Sequence, residues 1–251
     1  IMGQVRKILV TGGASGIGAA ICRRMSGSNC HFLVHTRANQ TGLEKTIQDI
    51  ERKGGRANAE FADLAVKGAA RSLVERANEF LGGLDVLVAN AGYALKTPIT
   101  NVSDEEFENA HVTISRSFFE LATAAMPYIE KSNCGRIIGI SAFGPHVWRT
   151  KVTPFAATAA AKASMEVTAK ALALQLAPSS ITVNLIAPGF VKKDQGAHVA
   201  ISPETLIELA AEVPMGRVAE PEEIAAVVAF CASNEASYIT GQVIHVNGGL
   251  V

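Results

Sequence analysis

Eight residues near the start of the chain, Thr11-Gly12-Gly13-Ala14-Ser15-Gly16-Ile17-Gly18, have the types and spacing to hold an anion. They follow a short apolar run and precede a helical pattern. Gly12 permits a sharp exit from a strand. Gly16 and Gly18 let backbone approach a pyrophosphate and let a helix pack on a sheet. The helix that follows adds the amides and positive end of its dipole. A bare glycine triplet also reads as a tight turn with a packing glycine, but the strand-before, helix-after context favours a nucleotide. Other constellations are weaker. Gly139-Ile140-Ser141-Ala142-Phe143-Gly144 misses the Gly-x-Ser-x-Gly nucleophile elbow by one residue, and no convincing Asp-then-His order follows it. The histidines at 31, 35, 111, 146, 198 and 245 lack metal-ligand spacing. Cys22, Cys30, Cys134 and Cys231 lack CxxC spacing and a zinc-type His partner, so no metal site is expected. They read as free, mostly buried thiols.

The elements that must position these residues alternate strictly. Strands are expected over Lys7–Val10, His31–His35, Ala57–Ala62, Asp85–Ala89, Arg136–Ser141, Thr182–Ala187 and Val243–Val246. Helices are expected over Gly16–Met25, Leu43–Lys53, Val66–Phe80, Phe107–Lys131, Pro154–Leu176, Pro203–Glu212 and Pro221–Cys231. Ser103 and Glu106 form a capping-box pattern before the fourth of these. Near-continuous apolar, β-branched strands alternating with helices imply a doubly wound, seven-stranded parallel sheet covered by helices on both faces. The whole chain, 1–251, reads as one domain. In such a sheet ligands sit beyond the carboxyl ends of the strands. The two long loops there, Gly144–Thr153 and Phe190–Ser202, should border the site.

Composition narrows the function. Lys and Arg together number 23, as do Asp and Glu, and 48 % of residues are apolar. A balanced charge disfavours a nucleic-acid partner. No apolar run reaches membrane-span length, so no membrane partner is expected. The opening residues carry no signal-peptide pattern, and a cytoplasmic location is the expectation. His35 and His245 alternate with apolar strand residues and read as packing or capped surface positions.

The glycine spacing TGxxxGxG resembles that of the short-chain dehydrogenase/reductase family. Further segments match in order: Asp85 through Gly92 is similar to the family's fourth strand and NNAG turn, with Ala89 in place of the first Asn. Ala187-Pro188-Gly189-Phe190 resembles its PG segment. Tyr238 through Gly249 resembles the end of bacterial 3-oxoacyl-carrier-protein reductases. The resemblance covers nearly the whole chain and implies a Rossmann-like fold, an oxidoreductase and a nicotinamide cofactor. It assigns cofactor contacts to Gly12, Ser15, Gly16, Ile17, Gly18, Thr36, Arg37, Asp63, Leu64, Asn90, Ala91, Gly92, Lys162, Pro188, Gly189 and Val191. At the end of the second strand Thr36 stands where an acid would bind the ribose 2′-hydroxyl, and Arg37 follows. A guanidinium can pair with a 2′-phosphate, so NADP(H) is favoured over NAD(H). Arg37 also reads as a solvated surface charge, and Asp63 as a turn acid.

The same resemblance implies a departure at the reaction centre. Lys162 matches the family Lys, but Thr158 stands four residues earlier, where the family has its proton-transferring Tyr. Ala142 stands at the family Ser, although a slip of one residue would put Ser141 there. The family Asn falls at Thr113 or Ile114, and Lys193 stands where a Thr often touches the carboxamide. Tyr93, just after the Asn90-Ala91-Gly92 turn, is the first candidate for a substitute acid, and His146 is the second. Each also reads as a wall residue. Three function readings follow: an NADP(H)-dependent carbonyl reductase or alcohol dehydrogenase with an atypical site; a cofactor-binding pseudoenzyme that partners an active homologue; or a non-redox lyase or hydrolase in the same pocket. The Ala-rich segment Ala156–Ala163 packs on the sheet or, as the family implies, forms a helix pair between subunits, typically of a homotetramer.

Overall fold

The computed structural model describes residues 5–149, 154–192 and 202–250. Strand β1 (Arg6–Thr11) carries Ile8, Leu9 and Val10, all fully buried, because both faces of the sheet are covered. It leads to α1 (Gly16–Met25), β2 (Cys30–Thr36), α2 (Gln40–Arg52), β3 (Arg56–Phe61), α3 (Ala69–Leu81) and β4 (Val86–Ala89). The second half adds α4 (Asp104–Ala110), α5 (Ser117–Ile129), β5 (Arg136–Ile140), α6 (Ala156–Leu176), β6 (Thr182–Pro188), α7 (Pro203–Glu212), α8 (Pro221–Ala232) and β7 (Val243–Val246). All strand pairs are parallel, in the order β3-β2-β1-β4-β5-β6-β7. The expected doubly wound architecture is therefore present. The order reverses between β1 and β4, and that switch point is where such sheets open a crevice.

Two cores sandwich the sheet. One joins Leu73, Val74, Phe118, Leu121, Ala161 and Met165 from α3, α5 and α6. The other joins Ile21, Leu43, Ile224 and Val228 from α1, α2 and α8 to the opposite face. Edge strand β3 is only partly buried, as its single partner predicts. Cys22 and Cys231 are buried, Cys30 and Cys134 only partly, and all four are free thiols.

Most boundaries shift by one to three residues from the sequence reading, and three of the differences have a clear physical cause. The helix expected from Val66 starts at Ala69, because Gly68 at φ +83° takes a left-handed turn at its N-cap. The helix expected from Phe107 starts at Asp104, directly after Ser103, whose capping box with Glu106 is present. That helix is also not continuous to Lys131. A π-helical turn over His111–Arg116 separates α4 from α5, which ends at Ile129. Such turns concentrate at functional sites, and this one lies against α6. Among the described residues no helix is long and apolar enough to cross a membrane.

Candidate active site

The glycine turn sits at the switch point and is braced from three sides. Thr11 Oγ1 accepts from the amides of Asn90 and Ala91, each at 3.0 Å. Asn90 Nδ2 donates to Thr11 O at 2.9 Å and Gly12 O at 3.0 Å. The ends of β1 and β4 are thereby locked together. Asn90 thus acts on the turn itself, with both amide protons engaged.

His35 supplies the third brace. It is 2 % exposed, not a surface position. Its Nδ1 accepts from Gly12 N at 3.4 Å, and its Nε2 pairs with Ala62 O at 2.9 Å. Those partners require the neutral Nε2–H tautomer. Burial lowers its pKa, outweighing the raising effects of Ala62 O and the nearby acids. One imidazole therefore joins the glycine turn to the ends of β2 and β3. The sequence signal is a polar residue inside an apolar strand, which by itself reads as a packing or capped surface position.

The turn has the shape a diphosphate needs. A Cβ on Gly18 would lie 2.1 Å from Gly12 O and 2.6 Å from Asn90 Nδ2, so only glycine lets α1 approach the turn this closely. Gly12 takes φ +66° and Gly16 φ +52°, and among the described residues nothing beyond its own stretch of chain lies within 4 Å of a Cβ built on Gly16. Ser15, the N-cap of α1, makes no side-chain cap bond. The positive end of α1 thus starts at a glycine in the left-handed region, a backbone form that suits an anion. If the turn holds the nicotinamide dinucleotide that the sequence leads one to expect, Gly18→Ala should weaken its binding more than tenfold, although alanine favours a helix by up to about 1 kcal/mol. Titration of NADPH fluorescence checks this, and unchanged affinity would refute the close-approach argument.

The remaining predicted cofactor contacts line the same crest. Thr36 is buried at the end of β2 and Arg37 is exposed beyond it. Asp63 is exposed and accepts from Ala65 N at 2.9 Å, forming a turn, while Leu64 is buried beneath it. Gly189 donates to Val246 O at 3.0 Å, and its Cα lies so close to Asn247 that a Cβ would meet that residue's Cα at 2.8 Å. Val191 bridges to Ala219. Lys193 and His198 lie outside the described residues.

Lys162 meets this crest from α6. Its Nζ donates to Ile140 O at the end of β5, and it lies 3.4 Å from a Cβ built on Gly92. Burial pulls its pKa down to about 8, against the raising effect of Glu166. Ile114, in the π turn, lies 3.9 Å from the same point and is 2 % exposed. Of the two positions left open by the sequence, Ile114 is the one beside Lys162 and Gly92. Thr158, one turn before Lys162, is 3 % exposed. Its Oγ1 donates to Phe155 O at 3.2 Å and accepts from Leu95 N at 3.4 Å.

Ser141 and Ala142 part company, as successive residues leaving a strand do. Ser141 is 4 % exposed and donates to Glu166 Oε1 at 2.5 Å, facing inward against α6. Ala142 is partly exposed. The two candidate substitute acids are both engaged. Tyr93 is 37 % exposed and accepts from Asn109 Nδ2 at 3.2 Å. Burial raises its phenol pKa, the wrong direction for a donor at neutral pH. His146 Nε2 contacts Glu166 at 3.0 Å. Among the described residues no group of three His, Cys, Asp or Glu side chains is placed to hold a metal ion.

Residues 12–251 match the protein family described as enoyl-(acyl carrier protein) reductase. The chain belongs to the short-chain dehydrogenase/reductase family of oxidoreductases. It is 36 % identical to the 3-oxoacyl-[acyl-carrier-protein] reductase of Salmonella typhimurium, over 96 % of each chain. It is 33 % identical to the 3beta-hydroxysteroid dehydrogenase 1 of Eggerthella lenta, over 98 % of this chain and 93 % of the relative. Among solved structures, a short-chain dehydrogenase/reductase from Serratia marcescens superposes with a TM-score of 0.90 at 30 % identity, over 98 % of each chain. A short-chain dehydrogenase from Burkholderia cenocepacia, solved in complex with NADP, superposes with a TM-score of 0.88 at 28 % identity, over 98 % of each chain.

Proposed function

We propose that the protein is an NADP(H)-dependent oxidoreductase of the carbonyl reductase or alcohol dehydrogenase type, working through an atypical reaction centre. The observation that carries it is the convergence of the glycine turn, the start of α1 and the Lys162 ammonium on one crevice. The turn and Arg37 would hold the phosphates, and Lys162 beside Gly92 would hold the nicotinamide end. When bound, the nicotinamide supplies or accepts the hydride. Lys162 holds a positive charge where negative charge develops on a carbonyl oxygen. Thr158 and Ala142 occupy the places of the family's Tyr and Ser, so the proton comes from water or substrate unless Tyr93 or His146 turns into the crevice. Positioning alone is worth roughly 7–11 kcal/mol, so hydride transfer survives the loss of a phenol.

Titration with NADPH and NADH, followed by a screen of ketones and alcohols, tests this reading; binding of neither coenzyme would overturn it. Preference for NADP(H) rests on Arg37, which follows Thr36 at the position of the family acid. Arg37→Asp is expected to weaken NADPH roughly ten- to a hundredfold and to improve NADH, because a charge-assisted pair is replaced by repulsion. Equal losses for both coenzymes would assign Arg37 to the solvated surface.

A second reading is favoured by Thr158 and Ala142: a cofactor-binding pseudoenzyme that partners an active homologue. NADPH binding without turnover would support it. Exposed Val167 and Leu174 on the outer face of α6, 69 % and 79 % exposed, suit a helix pair between subunits and so a homo-oligomer, with a tetramer favoured. A cytoplasmic location completes the proposal.

A further inference from the structure

Two charged side chains, where the π turn runs into α5, act on a loop of another unit of the fold. Arg116 closes the π turn and Glu120 follows four residues later, so both leave the same face. Arg116 Nη2 donates to Ala65 O at 2.5 Å. Glu120 is 7 % exposed, and its Oε2 accepts from Gly68 N at 3.3 Å. Arg116 Nε lies 3.8 Å from Glu120 Oε1, an ion pair without a hydrogen bond. Gly68 is the N-cap of α3, which has no side-chain cap and no acid in its first turn. The Glu120 carboxylate supplies that missing negative charge from a different helix. A carboxylate this buried is costly unless it is matched, and here it meets an amide, a helix dipole and a guanidinium.

The segment they hold, residues 62–68, joins β3 to α3 at the crest of the sheet. Its near end is fixed to the neighbouring strand: Ala62 N donates to Thr36 O at 3.2 Å, and Ala62 O pairs with His35. Asp63 closes the next turn, its Oδ1 accepting from Ala65 N at 2.9 Å and its carbonyl from Val66 N at 3.0 Å. Leu64 drops into the core with Leu9, Leu33 and Ala89, from β1, β2 and β4. Arg116 and Glu120 fix the far end. The π turn therefore reaches the crevice from two sides, with Ile114 beside Gly92 and Arg116 at the loop beyond β3.

We infer that Arg116 and Glu120 are positioning residues for the coenzyme: they hold residues 63–68 as the wall against which its adenine end lies. The inference rests on the coenzyme reading of the crevice; the clamp itself does not. A dinucleotide running from Arg37 to Lys162 passes this wall at its adenosine end, because Asp63 and Leu64 follow β3, the strand paired with the one that ends in Thr36. Both side chains are spent on the loop. Loss of the clamp therefore lowers affinity for the adenosine half and leaves the chemistry at the nicotinamide unchanged.

The full chain is titrated by calorimetry with the coenzyme it binds and with that coenzyme's adenosine fragment, adenosine 2′,5′-bisphosphate for NADPH or AMP for NADH. Arg116→Ala should weaken coenzyme and fragment by the same factor, about tenfold, the loss of one hydrogen bond from a charged group. Arg116→Lys keeps the charge and a donor and should recover part of it. Glu120→Gln keeps an oxygen for Gly68 N, loses the ion pair and should do less. Where turnover is measured, KM for the coenzyme should rise while kcat and the KM of the carbonyl substrate hold. Hydrogen exchange in the coenzyme-free protein reads the clamp separately: the amides of Ala65, Val66 and Gly68 should lose protection in Arg116→Ala while those of β1 keep theirs. Should Arg116→Ala lose the fold, Arg116→Met, which keeps the apolar stem, takes its place. Unchanged exchange overturns the clamp. Faster exchange with unchanged affinity for the fragment overturns the positioning role and leaves the coenzyme reading standing. A parent that binds neither coenzyme overturns that reading and the positioning role with it, and the exchange result then judges the clamp alone.

Discussion

Thr158→Tyr combined with Ala142→Ser is expected to raise kcat for ketone reduction by about 10²–10⁴, the usual worth of a positioned acid. Position 158 lies one helical turn before Lys162, so both side chains leave the same face of α6. A phenol has a pKa near ~10 and needs a neighbouring cation to work close to neutrality. Lys162 is already held there by Ile140 O. A serine at 142, unlike Ser141, would not be drawn into Glu166. The difficulty is space. Thr158 is 3 % exposed under the Tyr93–Leu95 segment, and enlarging a packed site typically costs about 1–3 kcal/mol. The segment beside it lies in a loop, so the ring is accommodated by moving backbone at 93–97 rather than core. Rates, thermal stability and NADPH affinity are measured together. A folded, NADPH-binding double variant with no gain in rate, against any ketone the parent binds, would mean that Thr158 does not stand at the proton-transfer position. Gain from a silent parent would favour the pseudoenzyme reading; gain over a measurable parent rate would favour the atypical enzyme.

Much of this site was legible because its signals are local. The strands announce themselves as runs such as Ile8-Leu9-Val10, fully buried once the sheet forms. The glycine turn is a local motif whose strand and helix flanks can be read from adjacent residues. Boundaries failed where backbone conformation overrode pattern: Gly68 in a left-handed turn delayed α3, and the π turn at His111–Arg116 broke a helix whose apolar periodicity runs on unbroken. What stayed hidden were long-range partners. Nothing within reach of His35 in sequence foretells Gly12, 23 residues before it, or Ala62, 27 residues after. Ser141 and Glu166 are 25 residues apart and find each other only because α6 crosses back over the end of β5. Strand alternation separates Ala142 from Ser141 in the sequence, and in the fold Ser141 turns inward to Glu166 while Ala142 stays partly exposed.

Lys162→Met is expected to change how stability depends on pH, and this effect is the larger test of the buried cation. Burial holds the folded pKa of Lys162 at about 8, below the ordinary value of 10.5. Between those values the unfolded chain binds a proton that the folded chain releases, so stability of the parent rises with pH across that window. Below pH 8 both states carry the charge, and the fold bears the full penalty of burying it. From pH 7 to pH 10 the parent should gain about 2–3 kcal/mol relative to the methionine variant. The variant keeps the chain length and apolar stem, and leaves the Ile140 carbonyl without its donor, a constant loss of about 1 kcal/mol. Urea unfolding at each pH, taken as the difference between the two proteins, cancels the titration of tyrosines and cysteines common to both. Parallel stability curves would show that the ammonium is hydrated, not buried. A diverging pair would show a cation kept in a water-poor crevice at a free-energy cost to the empty fold. That is the condition under which a fixed charge acts most strongly on a developing oxyanion. The same variant should then lose NADPH affinity at pH 7 even where its fold is no less stable than the parent's, separating what Lys162 does for binding from what it costs the scaffold.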